Sequence, residues 1–246
     1  MNKVFKILSI AAILMIISSL SYGHLSWIRI EKAGDAGQSV RITVAHGHKF
    51  PEGGHQLVSE FVKAFYISET GEKSPFIFEK PAEGLSGSFK IAKPGVHRFC
   101  FVYDRGVMSK TTQGWKAGGK DMYPKAIERM KTVQTGTSLI KAGSGAWGKI
   151  APAGLPVELL PVKFGKEMTL RLLKDAKPYP GADIILQLPG KDEKLIGKTD
   201  AKGEIKIVLP TERGEILIGA EFRIDHPAGS EVNRENYAAA LYLNLE

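Results

Sequence analysis

The sequence predicts an all-β protein made of two β-sandwich domains, the second immunoglobulin-like, with a short helix and a long loop between them. Two observations carry this. Short runs rich in Val, Ile, Phe, Leu and Tyr recur along the chain, separated by Gly, Pro and Lys turns. From residue 155 onward seven such runs crowd into roughly ninety residues, the density of an immunoglobulin-like sandwich.

In order along the chain, "LSWIRIE", "SVRITVAH", "FVKAFYIS", "SPFIFEK", "GSFKIAK" and "GVHRFCFVYD" read as strands, all before residue 105. Residues 105–122, "RGVMSKTTQGWKAGGKDM", read as a long loop that docks a partner or closes as a lid, or as plain solvated surface. "YPKAIERMKTV" reads as a short helix with Pro124 near its start. "KAGSGAWGKIAPAGLP" is rich in Gly, Pro and Ala and marks the interdomain connection. The strands then resume with "VELLPV", "EMTLRLLK", "ADIILQL", "KLIGKT", "EIKIVLP", "EILIGAEFR" and "YAAALYLNL". Within them "TDAKGEI" is a hairpin signal, with Gly203 free to take a left-handed backbone. The resulting division is 24–154 for a metal-binding β-rich half and 155–246 for the second sandwich.

Residues 1–23 read as a secretory signal peptide. Lys3 and Lys6 precede the apolar run "ILSIAAILMIISSL", and Ser21 and Gly23 supply small residues for a cut before His24. The run is shorter than the roughly 20 residues a bilayer-spanning helix needs. The chain is therefore expected to be exported, and the cleaved chain is not expected to be an integral membrane protein. Losing the two lysines lowers the formal charge from +8 to +6. On an exported chain that excess reads as a solvated lysine-rich surface and not as a nucleic-acid site. The single cysteine, Cys100, lies in the apolar run "HRFCFVY" and reads as a small buried hydrophobe.

The histidines carry the chemistry. Of six, four fall between residues 24 and 55: His24, His46, His48 and His55. Alternation places Val40, Ile42, Val44, His46 and His48 on one strand face, and His24, Ser26, Ile28 and Ile30 on another. The linker "KAGDAGQ" suits an antiparallel pairing of the two strands. One register sets His24 against His46; shifting it by two sets His24 against His48 and Glu31 against Arg41. In either, a terminal histidine arrives beside an imidazole. After cleavage His24 would offer its α-amine as well as its ring, and an α-amine has a pKa of about 8. Three or four nitrogen donors suit nickel, cobalt, copper or zinc, whereas calcium and magnesium require oxygen. His55, in "PEGGHQ", is near enough on a glycine-rich loop to close the site. Each of the four also has a plain reading, as a frayed terminus, an exposed strand end or a loop residue. His97 shares a face with Phe99, Phe101 and Tyr103 and reads as a hydrogen-bonded core residue. His226 reads as a turn residue, and Met108 and Met122 as packing residues.

The leader followed by "HLSW", the segment "GHKFPE" (47–52), "YDRGVMSKTTQGWK" (103–116) and the later "KPYPGADIIL", "TDAKGEIKIVLP" and "HPAGSEVNRENYAAALYLNLE" resemble the NikM-like DUF4198 family. The resemblance implies a periplasmic component of a cobalt or nickel uptake system. On it His24 and His48 carry over first and His46 next. NikM subunits are membrane proteins, so this chain resembles a soluble partner of a membrane transporter. The expected function is non-catalytic transition-metal handling. The alternatives are a periplasmic copper carrier, a histidine-brace copper protein, and an adhesion or carbohydrate-binding sandwich without metal. Nucleophile elbow, H-E-x-x-H and phosphate-loop motifs are absent from the sequence.

Overall fold

The apolar–polar alternation of the chain is realised as strands throughout. The computed structural model describes residues 24–31, 35–79, 85–144, 146–211 and 214–245, and the leader assigned to 1–23 lies outside them. The strands are β1 (Leu25–Ile30), β2 (Ser39–Gly47), β3 (Val62–Ile67), β4 (Lys73–Pro75), β5 (Leu85–Lys90), β6 (Gly95–Thr111), β7 (Gly114–Ala117) and β8 (Glu128–Ala142). The second half adds β9 (Val157–Lys163), β10 (Glu167–Lys174), β11 (Lys177–Pro178), β12 (Asp183–Gln187), β13 (Lys194–Lys198), β14 (Glu204–Val208), β15 (Gly214–Asp225) and β16 (Arg234–Leu245).

One large sheet runs β13-β12-β15-β16-β8-β6-β3-β4, with β7 added to β6. A small sheet, β1-β2-β5, and another, β11-β10-β14 with β9 on β10, complete the architecture. The large sheet serves two cores, one on each face. Along β16 the side chains alternate between them: Ala238, Ala240 and Tyr242 join Trp27, Ile42 and Phe99, while Ala239, Leu241 and Leu243 join Leu159, Met168 and Leu170. A strand buried on both faces reads as a continuous apolar run, which "YAAALYL" is. Each fully buried Leu, Ile or Met contributes about 1.5–3 kcal/mol.

The boundary at 154/155 falls in the irregular stretch between β8 and β9. The sheet passes across it, because β16 of the second half pairs in parallel with β8 of the first, Tyr237 opposite Val133. The connection itself is pinned down. Ala153 N–H donates to both Glu158 oxygens at 2.9 and 3.0 Å, and Arg98, paired with Glu158, donates to the Ala151 carbonyl at 2.7 Å. Both charges are buried, and these extra hydrogen bonds help offset their desolvation.

Three expectations are corrected. The helix expected over "YPKAIERMKTV" is absent: residues 128–142 form β8, paired antiparallel with β6 from Lys110↔Glu128 to Gly95↔Ala142. Thr132, Val133, Thr135, Thr137 and Ile140 are β-branched, and the long β6 partner satisfies their backbone, so tertiary pairing overrides the local helical spacing. The described residues contain no α-helix; their one helical turn is a 3-10 turn at Ser59–Phe61. The long loop expected at 105–122 is largely a hairpin. β6 continues past a register shift between Asp104 and Val107 to Thr111 and returns as β7, with Lys110 opposite Trp115. Among the described residues no helix is long and apolar enough to cross a membrane.

The turn at "TDAKGEI" forms, with Gly203 at φ +70° and its N–H donating to the Asp200 carbonyl at 2.9 Å. The expected hairpin does not: the strands it joins lie in different sheets, β13 on β12 and β14 on β10. Cys100 is buried and free, as its surroundings predicted.

Candidate functional site

β1 and β2 pair with Ser26 opposite His46 and Leu25 opposite Gly47, the second of the two registers considered. In it Glu31 N–H donates to the Arg41 carbonyl at 3.1 Å. His24 stands one residue before β1 and His48 one residue after β2, so the register carries them to the same end of the sheet. Their ring centroids are 4.1 Å apart.

Gly47 makes the next turn possible. Its φ is +142°, and a Cβ there would lie 3.1 Å from the Gly54 backbone nitrogen. Only glycine combines that backbone with that approach. The 49–55 loop therefore folds back onto β2, with the His55 N–H donating to the His46 carbonyl at 3.1 Å. The His55 ring ends 4.3 Å from that of His24 and 6.0 Å from that of His46. His24 and His46 are separated by 5.3 Å. The four sequence-predicted histidines are thus gathered into one corner, drawn from two strand ends and one loop.

The hydrogen bonds within the corner are specific. His24 Nε2 lies 2.8 Å from His55 Nε2, so one of these nitrogens donates and the other accepts. His46 Nδ1 lies 2.9 Å from Ser26 Oγ, which donates to Gln134 Oε1 at 2.5 Å. Gln134 Nε2 donates to the His24 carbonyl at 2.9 Å. On the far side, Gln187 Nε2 donates to the His48 carbonyl at 2.8 Å, and Gly190 N–H donates to the Phe50 carbonyl at 3.0 Å. Ser26, Gln134 and Gln187 are the residues for which sequence reasoning assigned no role. The two glutamines carry a visible signal: each interrupts an apolar or β-branched strand run, in "TVQTGT" and "IILQLP". Polar residues buried in strands are held there by partners.

Electrostatics favours the neutral ring at His46 and His24. Burial, followed by the charges of His24 and His55, pushes His46 down to about 4, against a weaker upward pull from a hydrogen bond to the Leu25 backbone. His24 is also lowered, first by burial and then by His48 and His55. Glu193, after β12, is raised by burial while the nearby His48 acts in the opposite sense, which brings one carboxyl into the field of the corner.

The donor set fits a borderline transition metal by chemistry, since it is imidazole nitrogen. Two nitrogens bound cis at 2.0–2.1 Å from one ion are about 3 Å apart. The His24–His55 spacing of 2.8 Å is close to that value. A formed coordination shell is a different matter. Among the described residues no three His, Cys, Asp or Glu side chains are arranged as one. Loading would therefore turn at least one ring, and through His24 Nε2 it would also replace the His24–His55 hydrogen bond. Two modes are open to this geometry. All the rings could present Nε2, or His24 could chelate through Nδ1 and keep Nε2–H as a donor to His55.

The other histidines lie elsewhere. His97 is fully buried, with Tyr66 Oη 2.6 Å from Nδ1 and the Lys93 carbonyl 2.7 Å from Nε2. His226 sits in a turn 3.4 Å from Glu235. Trp27 is in the core, edge-on to Phe50, and so offers no surface platform.

Two of the solved structures that this chain matches are remote likenesses. One is a tetra-tandem repeat from the extending region of a large adhesion protein, at 9% identity and a TM-score of 0.25, covering 91% of this chain and 50% of that one. Another is the Bacteroides ovatus mixed-linkage glucan utilization locus protein SGBP-B in complex with a mixed-linkage heptasaccharide, at 7% identity and a TM-score of 0.16, covering 89% and 61%. This chain therefore spans about half the length of the adhesion-protein structure. No curated protein matches in sequence. Residues 21–223 match the family described as a domain of unknown function, DUF4198, and the chain belongs to that family.

Proposed function

We propose that this protein is a periplasmic, non-catalytic transition-metal carrier whose cargo, nickel or cobalt, is held by His24, His46, His48 and His55 for delivery to a membrane transporter. The observation that carries the reading is the convergence of four imidazoles at one end of a strand pair, with the His24 ring centroid 4.1–5.3 Å from those of the other three. The lowered pKa values of His24 and His46 support it further, since a protonated imidazole is no ligand. The NikM-like designation belongs to this proposal and supplies the choice of nickel or cobalt.

Calorimetric titration of the exported protein with Ni²⁺, Co²⁺ and Cu²⁺ tests it. One tight site is expected, lost in His24→Ala and weakened in His48→Ala. Absence of tight binding by all three ions refutes the carrier reading.

A second reading, copper held in a histidine-brace arrangement, is favoured by one specific observation. The His24–His55 hydrogen bond engages His24 through Nε2, which leaves Nδ1 for chelation alongside a terminal amine. Copper also outranks nickel and cobalt in affinity at most nitrogen sites. A chain carrying one extra residue ahead of His24 tests whether the terminal amine is a ligand. Unchanged affinity removes the amine from the site, and a large loss supports the brace.

A further inference from the structure

We propose that Gln134, acting through Ser26, holds His46 in the tautomer protonated at Nδ1 and so leaves its Nε2 lone pair as the donor facing the histidine corner. Gln134 is then a positioning residue, contributed by β8 of the large sheet to a site built on β1 and β2.

The carbonyl of His24 can only accept, so the group of Gln134 that lies 2.9 Å from it must be the amide NH₂. That fixes the orientation of the amide and leaves Oε1 as the atom 2.5 Å from Ser26 Oγ. Oε1 in turn can only accept, and the serine hydroxyl has one hydrogen to give. Ser26 is fully buried and Gln134 is 8% exposed, so solvent does not stand in for either partner. With its hydrogen committed to Gln134, Ser26 Oγ meets His46 Nδ1 at 2.9 Å as an acceptor. Nδ1 must therefore carry the hydrogen. A neutral imidazole has one, so Nε2 is bare.

The same glutamine also tethers the backbone of His24 through its other end. One side chain thus sets the donor atom of one histidine and the position of another. Partners of this kind, hydrogen-bonded to the far nitrogen of a ligating imidazole, typically change metal affinity by about 10- to 100-fold when removed. The role in metal binding rests on the carrier reading above, whereas the tautomer does not.

Long-range ¹H–¹⁵N correlation of the metal-free, ¹⁵N-labelled protein at neutral to mildly alkaline pH reads the tautomer directly. His46 is expected to show a protonated Nδ1 and an unprotonated Nε2. Gln134→Leu is expected to mix the two forms by freeing the serine hydrogen. Gln134→Glu, which keeps an acceptor for Ser26 but loses the tether to His24, is expected to restore the wild-type pattern. A wild-type ring protonated at Nε2 overturns the proposal, as does a pattern unchanged in Gln134→Leu. Should Gln134→Leu fail to fold, the wild-type tautomer alone decides. Titration with Cu²⁺ and Ni²⁺ completes the test, with affinity expected to fall roughly 10- to 100-fold in Gln134→Leu. An affinity unchanged in that variant refutes the positioning role. If neither ion binds the wild-type protein while the tautomer is as stated, the carrier reading falls and the hydrogen relay stands.

Discussion

His97 and the four histidines of the N-terminal corner are the same residue type in two opposite situations. His97 sits on β6 with no exposed surface, and both of its nitrogens are engaged by Tyr66 Oη and the Lys93 carbonyl. It has nothing left to offer a ligand. Among the described residues the rings of His24 and His55 hydrogen-bond to one another, and His46 turns one nitrogen to Ser26. A fully partnered imidazole is part of a core, whereas the imidazoles of the corner turn chiefly toward one another. The difference lies in what the second nitrogen of each ring meets, which no sequence spacing reports.

Three measurements would break or sharpen that contrast. The largest effect is expected from His97→Ala. It empties a core position and strands a buried tyrosine hydroxyl, and together these cost about 2–4 kcal/mol. Urea unfolding should show this with metal affinity unchanged. His55→Ala should do the reverse, with stability altered by less than about 0.5 kcal/mol and metal affinity reduced. If His97→Ala instead abolishes metal binding in a protein that remains folded, the division between the two regions is wrong.

An intermediate effect is expected at Gly47. Gly47→Val adds a branched side chain at φ +142° against the backbone of Gly53 and Gly54. The strain should cost on the order of 1–3 kcal/mol. It should also push the His55 loop away from β2, which chemical-shift changes at the His55 ring would register. A variant as stable as the parent would show that the loop does not need its close approach.

The smallest effect concerns pH. His46 is held near 4 in the folded protein, below its ordinary value of 6.5, and His24 is lowered in the same direction. The unfolded chain therefore takes up protons first as pH falls. Stability should be level above about 6.5 and should decline as pH drops from there towards 4. Melting temperatures over that range should fall less steeply in His46→Gln than in the parent protein. Equal slopes would remove His46 as the source.

The strands were largely legible because alternation and turn residues are local signals. The predicted run "EMTLRLLK" coincides with β10. "LSWIRIE" and "SVRITVAH" match β1 and β2 to within a residue or two. The helix expected near Pro124 failed for a non-local reason. The backbone of 128–142 finds a long antiparallel partner in β6 and a parallel one in β16, and neither is visible from the segment itself. The hairpin at 108–117 was obscured by its polar, glycine-rich tip.

The four histidines were legible as candidates because strand alternation brings His24 beside His46 or His48 in either register, and His55 follows on a short glycine-rich loop. The register itself was settled only by the pairing of Ser26 with His46. Ser26 was visible only as a neighbour on the His24 face. Gln134 lies 108 residues from Ser26, and only the packing of the small sheet on the large one brings them together.

By itself the sequence determined that the chain is β-rich, where most strands lie and which histidines share an end of a strand pair. These follow from side-chain periodicity and the conformational preferences of a few residues. The tertiary structure decided which edge joins which, that β8 and β16 link the two halves, and which nitrogen of each imidazole is already taken. Those outcomes depend on hydrogen bonds between residues far apart in the chain, formed only once two apolar faces have closed on each other.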